Sequence, residues 1–484
     1  MKHSRRCILI LLALQLCATA ACGEQASVET ETTTTAEDTT APELSDNLPD
    51  IDMDGFELRI SNAEETWLSW AEIQIVADEE NGDLLNDAIY HRNTKIEERF
   101  NCKLVETEQE RVTPDVMGRD VMAGDASHDV WLVYDIDVVN MAAAGYLMPF
   151  ENLSYVNLDE PWWNPMATEV FNIAGKQYAA AGNFNLSTLS RAAGFIFNKE
   201  IYDQIGAEES LYDLVSEGKW TIDKMYDISK LAYSDLNGNA LIDAGDRFGI
   251  SGSWKELYNR LILGSGVSYI TKDEDGVPQF SLPDDTLAID KILRIYDLFT
   301  DQQVTNSKIS SNVDADGAGG DFQKGEVLFS VSQLFGLERA RTYEIDIGFI
   351  PTPKWDEEQE HYYAPSFGAT VAVLEQTLAL DRLDNVGIIL EALSFDSQYN
   401  VLPEYKEVAL KTKSARDDES AAMIDIIIDS ISFEFGLNAW QDVVANPFIR
   451  GSFAAGNNNI ASTLASMETT VNAEIEKLRE NILD

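Results

Sequence analysis

Between Asp235 and Asp246 the chain sets oxygen-bearing side chains at a spacing that suits a hard cation. Asp235, Asn237, Asn239, Asp243 and Asp246 occupy positions 1, 3, 5, 9 and 12 of a loop, and the backbone carbonyl of Leu241 falls at position 7. Calcium takes six to eight such oxygens, and this is the donor order of a calcium loop. The loop departs from that pattern at position 6, where Ala240 replaces glycine, and at position 12, where Asp246 is shorter than the usual Glu. Gly238 is placed to relieve the turn instead. The expectation is a structural calcium clip and no catalytic cofactor. The alternative is a polar surface loop.

Other catalytic chemistry finds no support in the spacing. His91, His128 and His361 show no HExxH arrangement, and the chain carries no GxSxG elbow and no GxxxxGK[ST] phosphate loop. Of four cysteines, Cys7 and Cys17 fall in an N-terminal export signal and Cys22 at its end, which leaves Cys102. Neither a disulfide framework nor a cysteine zinc site can be built from one thiol. Cys102 alternates with Phe100 and Leu104, as a buried strand residue would.

The signal itself is legible. Lys2, Arg5 and Arg6 precede the apolar run of residues 8–16, which is too short to span a bilayer as a helix and the right length for a secretory core. Small residues then lead into Cys22-Gly23, a pattern that resembles a bacterial lipobox with Thr19 in place of its usual leucine. Residues 1–22 are read as a lipoprotein signal peptide with Cys22 lipidated, so the protein is exported and lipid-anchored on the outer face of the bacterial cell membrane. Residues 23–50 hold seven Thr, eight Asp or Glu and no Lys or Arg. Such a stretch buries nothing and reads as a disordered tether reaching on the order of 30 Å. The formal charge of −49 repels nucleic acid and anionic headgroups, so a nucleic-acid partner is excluded.

The elements that must position any site alternate in type. Phe56, Leu58 and Ile60 show strand periodicity. Leu85, Ile89, Ile96 and Phe100 form a helical stripe, and a short strand follows at CKLVE. The run VWLVY, bounded by turn residues and acids, suits a buried parallel strand. Strands recur at residues 194–198, 327–331, 345–350 and 369–374. Helical stripes recur at Ile289, Ile292, Leu293 and Tyr296, and again at Val386, Ile389, Leu390 and Leu393. Alternating strands and helices predict an α/β fold with covered sheets, and a body of more than 400 residues predicts two lobes.

The order of these pieces resembles the extracellular solute-binding proteins of bacterial ABC importers, in the carbohydrate-associated family that includes maltose-binding protein. IEERFNCKLVE resembles the helix and strand that open its first lobe. The stretch AGDASHDVWLVYDIDVVNMAAAGYLMPFENL is similar to its "gdgPDvv…aGlL.pL" segment. GKQYAAAGNFN with GFIFNKEIYDQIG, FQKGEVLFSVSQLF, and IDIGFIPTPK resemble three further segments in the family's order. The resemblance covers most of residues 55–480. It implies a two-lobed periplasmic-binding-protein-like fold with a hinge and an interlobe cleft. The boundaries expected are lobe 1 at 51–182 with about 366–430, and lobe 2 at 183–365 with about 431–484. It also implies a monomeric, non-enzymatic protein that captures a carbohydrate, in the first place an oligosaccharide, for ABC permease subunits. Alternatives are a peptide or polyamine ligand on the same fold, a surface carbohydrate-active enzyme, or a sensory or adhesive binding protein.

A sugar site needs aromatic platforms and planar hydrogen-bonding groups. Asp135 and Asp137 lie just past the carboxyl end of a predicted strand, where α/β sheets present ligand contacts and where the resemblance puts an acidic one; a helix cap is the alternative. Asn183 and Asn185 fall at the first expected lobe crossing, as ligand contacts or as turn residues. Phe335 stands where the family carries a stacking aromatic. Trp162 and Trp163 are adjacent after a proline, so one is expected in the core and the other exposed in the cleft or at a lobe edge. Trp67 with Trp70, Trp254, and Phe367 near the second crossing are further candidate platforms. Trp220, just before the probable cap Thr221, is expected to be structural.

Overall fold

The computed structural model describes residues 45–63, 74–109, 111–124, 126–243, 245–305, 320–340, 342–366, 368–410 and 418–483. Cys22, Trp67, Trp70, Phe367 and most of the expected tether lie outside these. The compact body runs from Asp46 to Asp484. Asp46 pairs with Arg99, and Leu48 packs against the core, so the body reaches back to that point. Among the described residues no helix is long and apolar enough to cross a membrane.

Two separate sheets organise the body. The first has the spatial order Cys102–Gln109, Phe56–Ala63, Val130–Tyr134, Thr370–Glu375, Leu147–Met148. Phe56–Ala63 runs parallel to both of its neighbours, and Thr370–Glu375 runs antiparallel to both of its own. The second sheet has the order Ile347–Pro351, Ala193–Asn198, Val327–Gln333, Phe248–Ser251, with Ala193–Asn198 the antiparallel member.

The uninterrupted apolar run at Val130–Tyr134 has a simple cause. Val130 and Leu132 face one hydrophobic cluster, while Trp131 and Val133 face another on the opposite side of the sheet. Successive strand side chains alternate faces, so a sheet covered on both sides needs apolar residues at every position. Ala372 and Leu374 against Val371 and Val373 repeat the pattern on the neighbouring strand. One cover is the helix Leu84–Phe100, started by Asp83, whose carboxylate accepts from the amides of Leu85 and Asn86. The helix Leu383–Asp396 packs beside it.

After Leu410 the chain returns to the second sheet. The helix Asp418–Asp429 packs on the Ile347–Pro351 strand, and Ser420 Oγ lies 3.3 Å from the Tyr212 hydroxyl. That return comes before the expected boundary near 430, because the apolar face of this helix is covered by the second sheet. The last helix, Ile460–Leu483, touches both Val138–Ala143 beside the first sheet and Thr286–Phe299 beside the second.

Candidate functional site

The chain crosses between the sheets at residues 180–192 and again at 352–369, and the crossings are stitched together. Ala180 pairs with Ala372 and Ala192 with Ser366, while Ala364–Pro365 pairs with Ile431–Ser432. Beside these crossings lies a cavity of about 380 Å³. Its wall takes Tyr134 and Ile136 from the carboxyl end of a first-sheet strand, and Gln333 from the end of a second-sheet strand. Arg191 and Gly368 come from the crossings, and Ser253, Lys255, Glu256 and Asn259 from one helical segment. Gln441 completes it. Ser253 caps that helix, its Oγ 3.2 Å from the Glu256 amide.

Asp135 stands behind this wall rather than in it. It is fully buried, and its carboxylate accepts from the Ile136 amide at 2.8 Å, the Gly368 amide at 3.1 Å and Asn438 Nδ2 at 2.7 Å. Burial pushes its pKa up to about 7 against the pull of Asn438, the backbone amides and Arg191. Asp135 thus ties the end of a first-sheet strand to the second crossing and to Asn438, and does not itself line the cavity. Asp137 is also buried and pairs with Arg111 Nη2 at 2.5 Å; burial raises its pKa and Arg111 opposes the rise. The Arg111 guanidinium lies 5.1 Å over the Tyr134 ring.

The tryptophan pair does not divide between core and solvent as expected, although Trp163 also borders a second cavity, described below. Trp162 and Trp163 are 3% and 2% exposed and belong to one core cluster. Their indole Nε1–H groups donate to the two oxygens of a single carboxylate, Glu391, each at 2.9 Å. One buried acceptor with two oxygens lets adjacent indoles converge on the same core. Asn185 takes the turn role of its two expected ones: its Nδ2 donates to the Thr370 carbonyl and hydroxyl, and its Oδ1 accepts from the Ser187 amide. Asn183 donates to Gln398, beside the first sheet's covering helix. Both asparagines hold the crossing.

Trp254 opens the helix whose next residues line the cavity, and it is half-buried with part of its ring on the core. Phe335 is half-buried, with the Arg191 guanidinium 5.2 Å from its ring. Trp254, Phe335 and Asp135 thus neighbour lining residues of this cavity, but none of them, nor Asp137, Trp162, Trp163, Asn183 or Asn185, is in its wall. Trp220, as expected, is fully buried, with its indole donating to the Pro351 carbonyl at 2.9 Å. Arg191, Lys255, Glu256, Gln333 and Gln441 were not foreseen. The available signal was a lone arginine directly before an apolar strand in a chain with few cations.

A second cavity, about 770 Å³, lies between the 158–172 segment and the hairpin around Lys272–Gly276. Lys272 Nζ there donates to the carbonyls of Val170 at 3.0 Å and Asn172 at 2.7 Å, and Gly276 O accepts from the Ala174 amide. The hairpin is thus pinned to the end of the 165–171 helix, and the space beside it is a surface groove rather than a meeting of strand ends.

In the 235–246 loop, Asp235 accepts from the amides of Gly238 and Ala240 at 2.6 and 2.8 Å. Ala240 has φ +61° and Gly238 φ +71°, so the alanine itself adopts the left-handed turn. Asn237 and Asn239 both donate to Asp243, at 3.0 and 2.7 Å. Asp246 is 1% exposed; its Oδ2 accepts from the Asp243 amide and the Tyr233 hydroxyl, while its Oδ1 has no hydrogen-bond partner. Among the described residues no group of three His, Cys, Asp or Glu side chains could hold a metal by itself. Any ion here would depend on the asparagine and backbone oxygens as well.

Two sheets bridged by repeated crossings, with a polar cavity at the strand ends, define a binding-protein architecture. Residues 110–376, more than half of the chain, match the family of bacterial extracellular solute-binding proteins, and the chain belongs to that family. The structure is similar to a cyclo/maltodextrin-binding protein complexed with maltotetraose, at 14% identity and a TM-score of 0.55, covering 88% of this chain and 97% of that one. It is also similar to the maltose/maltodextrin-binding domain MalE from Bdellovibrio bacteriovorus bound to maltotriose, at 14% identity and a TM-score of 0.51, covering 87% and 100%. At such identity the likeness shows the fold, a two-lobed α/β binding protein. No curated protein sequence matches.

Proposed function

We propose that this protein captures an oligosaccharide in the cavity beside the crossings and delivers it to the permease of an ABC importer. The observation that carries this reading is the wall itself. Planar hydrogen-bonding groups from both sheets, Gln333 and Tyr134 among them, meet Asn259 and Gln441 across one space. Closing two lobes on a ligand needs such contacts on both sides, since a ligand shifts an equilibrium only by its differential affinity for the two states. Both structural relatives named above carry bound maltooligosaccharides, and the reading makes binding, not catalysis, the activity. A polyamine ligand fits poorly beside Arg191 and Lys255. Thermal-shift measurements on the purified protein with a panel of saccharides test the reading: at least one should raise the melting temperature, and a flat panel would overturn it.

The anchor belongs to the same reading: a lipid on Cys22 holds the binding body at the outer face of the membrane, within reach of the permease. Replacing Cys22 with Ser should release the protein from membranes.

We infer also that the 235–246 loop binds calcium through Asp235, Asn237, Asn239, the Leu241 carbonyl, Asp243 and Asp246. The support is the buried Asp246 Oδ1, which lacks a hydrogen-bond donor, beside two amide groups that occupy Asp243. Rotating those amides presents their oxygens instead, and a cation then satisfies Asp246.

A further inference from the structure

The charge in the cavity runs against the charge of the chain. The chain carries 35 Lys and Arg against 84 Asp and Glu, yet the wall presents Arg191 and Lys255 with Glu256 as its one acid. Arg260, fully buried on the same helix as Glu256, is attracted to that carboxylate. Arg191, 8% exposed, is attracted to Asp135 and Glu256. The Asp135 carboxylate is already taken up by Ile136, Gly368 and Asn438, and Asp137 is taken up by Arg111. Lys255, by contrast, has no ion pair or hydrogen bond among the described residues. In a partly closed space an uncompensated positive charge is felt more strongly than at an open surface. Glu256 Oε2 is buried with no hydrogen-bond partner.

We propose that the ligand is an acidic saccharide, with a uronate carboxylate seated between Arg191 and Lys255 and ring hydroxyls on Glu256, Gln333 and Gln441. This rests on the carbohydrate reading above and narrows it. A guanidinium recognises a carboxylate through two parallel N–H bonds, and an ammonium completes the charge. The Phe335 ring lies 5.2 Å from the Arg191 guanidinium.

The test is calorimetric titration of the purified protein with three uronate trisaccharides: trigalacturonate, trimannuronate and triglucuronate. Each is compared with its methyl ester, which keeps the ring and removes the charge, and maltotriose serves as the neutral sugar. At least one acid should bind about 10- to 100-fold more tightly than its ester, with affinity falling as salt rises. In Lys255→Met, a replacement at a half-exposed site that spares the core, the acid should bind no better than its ester. Maltotriose or an ester binding as tightly as every acid would overturn the acidic ligand and leave the carbohydrate reading intact. Acid affinity indifferent to Lys255→Met would overturn it as well. If no saccharide of either kind binds, both readings fall.

Discussion

Asn438 Nδ2 lies 2.7 Å from Asp135 Oδ2, joining the end of a first-sheet strand to a residue 303 positions later in the chain. Asn438 also donates to the Ser366 carbonyl in the second crossing and accepts from the Glu434 amide. Asp135 is therefore expected to act on the fold before it acts on ligand. Asp135→Ala leaves one buried and two part-buried donors without their acceptor and should lower stability by about 2–4 kcal/mol in urea unfolding. A variant of unchanged stability that has lost saccharide binding would return Asp135 to the role of a ligand contact.

Glu391 makes a parallel case. Glu391→Ala removes the acceptor of both indoles and opens a void, and should cost about 2–4 kcal/mol. Glu391→Gln keeps one acceptor oxygen and should cost less. Trp163→Ala should likewise destabilise while leaving the affinity of the remaining folded protein within a few-fold. Equilibrium unfolding paired with titration separates the two effects.

How far these roles could be read in advance depends on where the partner lies. The strands at 194–198, 327–331 and 369–374 were visible because their apolar runs are local and both sheet faces are covered, and the structure places strands at Ala193–Asn198, Val327–Gln333 and Thr370–Glu375. The fate of Trp162 and Trp163 was not visible, since the acceptor that lets both sink into one core is more than 220 residues away. Asp135 was placed correctly at a strand end, but its burial follows from Asn438 and Gly368, which no spacing near Asp135 announces. Arg191 and Lys255 escaped because single cations carry no motif.

Stability should respond to pH through three buried carboxyls. Burial pushes Asp135, Glu375 and Glu434 up to about 7. The folded state then holds these protons at pH values where the unfolded chain, with ordinary carboxyls near 4, has released them. Stability should rise as pH falls from about 8 toward 5. Asp129 acts in the opposite sense: burial raises its pKa, but hydrogen bonds from Arg382 and Arg59 outweigh this and hold it low. Its contribution is lost as pH falls below about 4. Urea midpoints at pH 8, 7, 6 and 5 should increase in that order; a steady decrease would contradict the assignment.

Calcium should be readable without any saccharide. An ion bound by the native state alone stabilises by about 2.7 kcal/mol at a concentration 100-fold above its Kd. Chelation should therefore lower the melting temperature, and added calcium should restore it. Asp246→Ala should remove this dependence while the protein still melts cooperatively. Melting curves identical with chelator and with calcium would leave the loop a polar surface turn.

The central claim is that one cavity, walled by both sheets and their crossings, binds a saccharide. Its most direct test is calorimetric titration of wild-type protein and the Gln333→Ala, Gln441→Ala double variant with the tightest-binding saccharide of the panel. Losing a hydrogen bond from each of these two walls should weaken binding by the remaining folded protein about 10- to 100-fold, while loss of the Gln333 Nε2 bond to the Arg191 carbonyl lowers the melting temperature of the free protein as well. Undiminished affinity in the double variant would contradict this placement of the site.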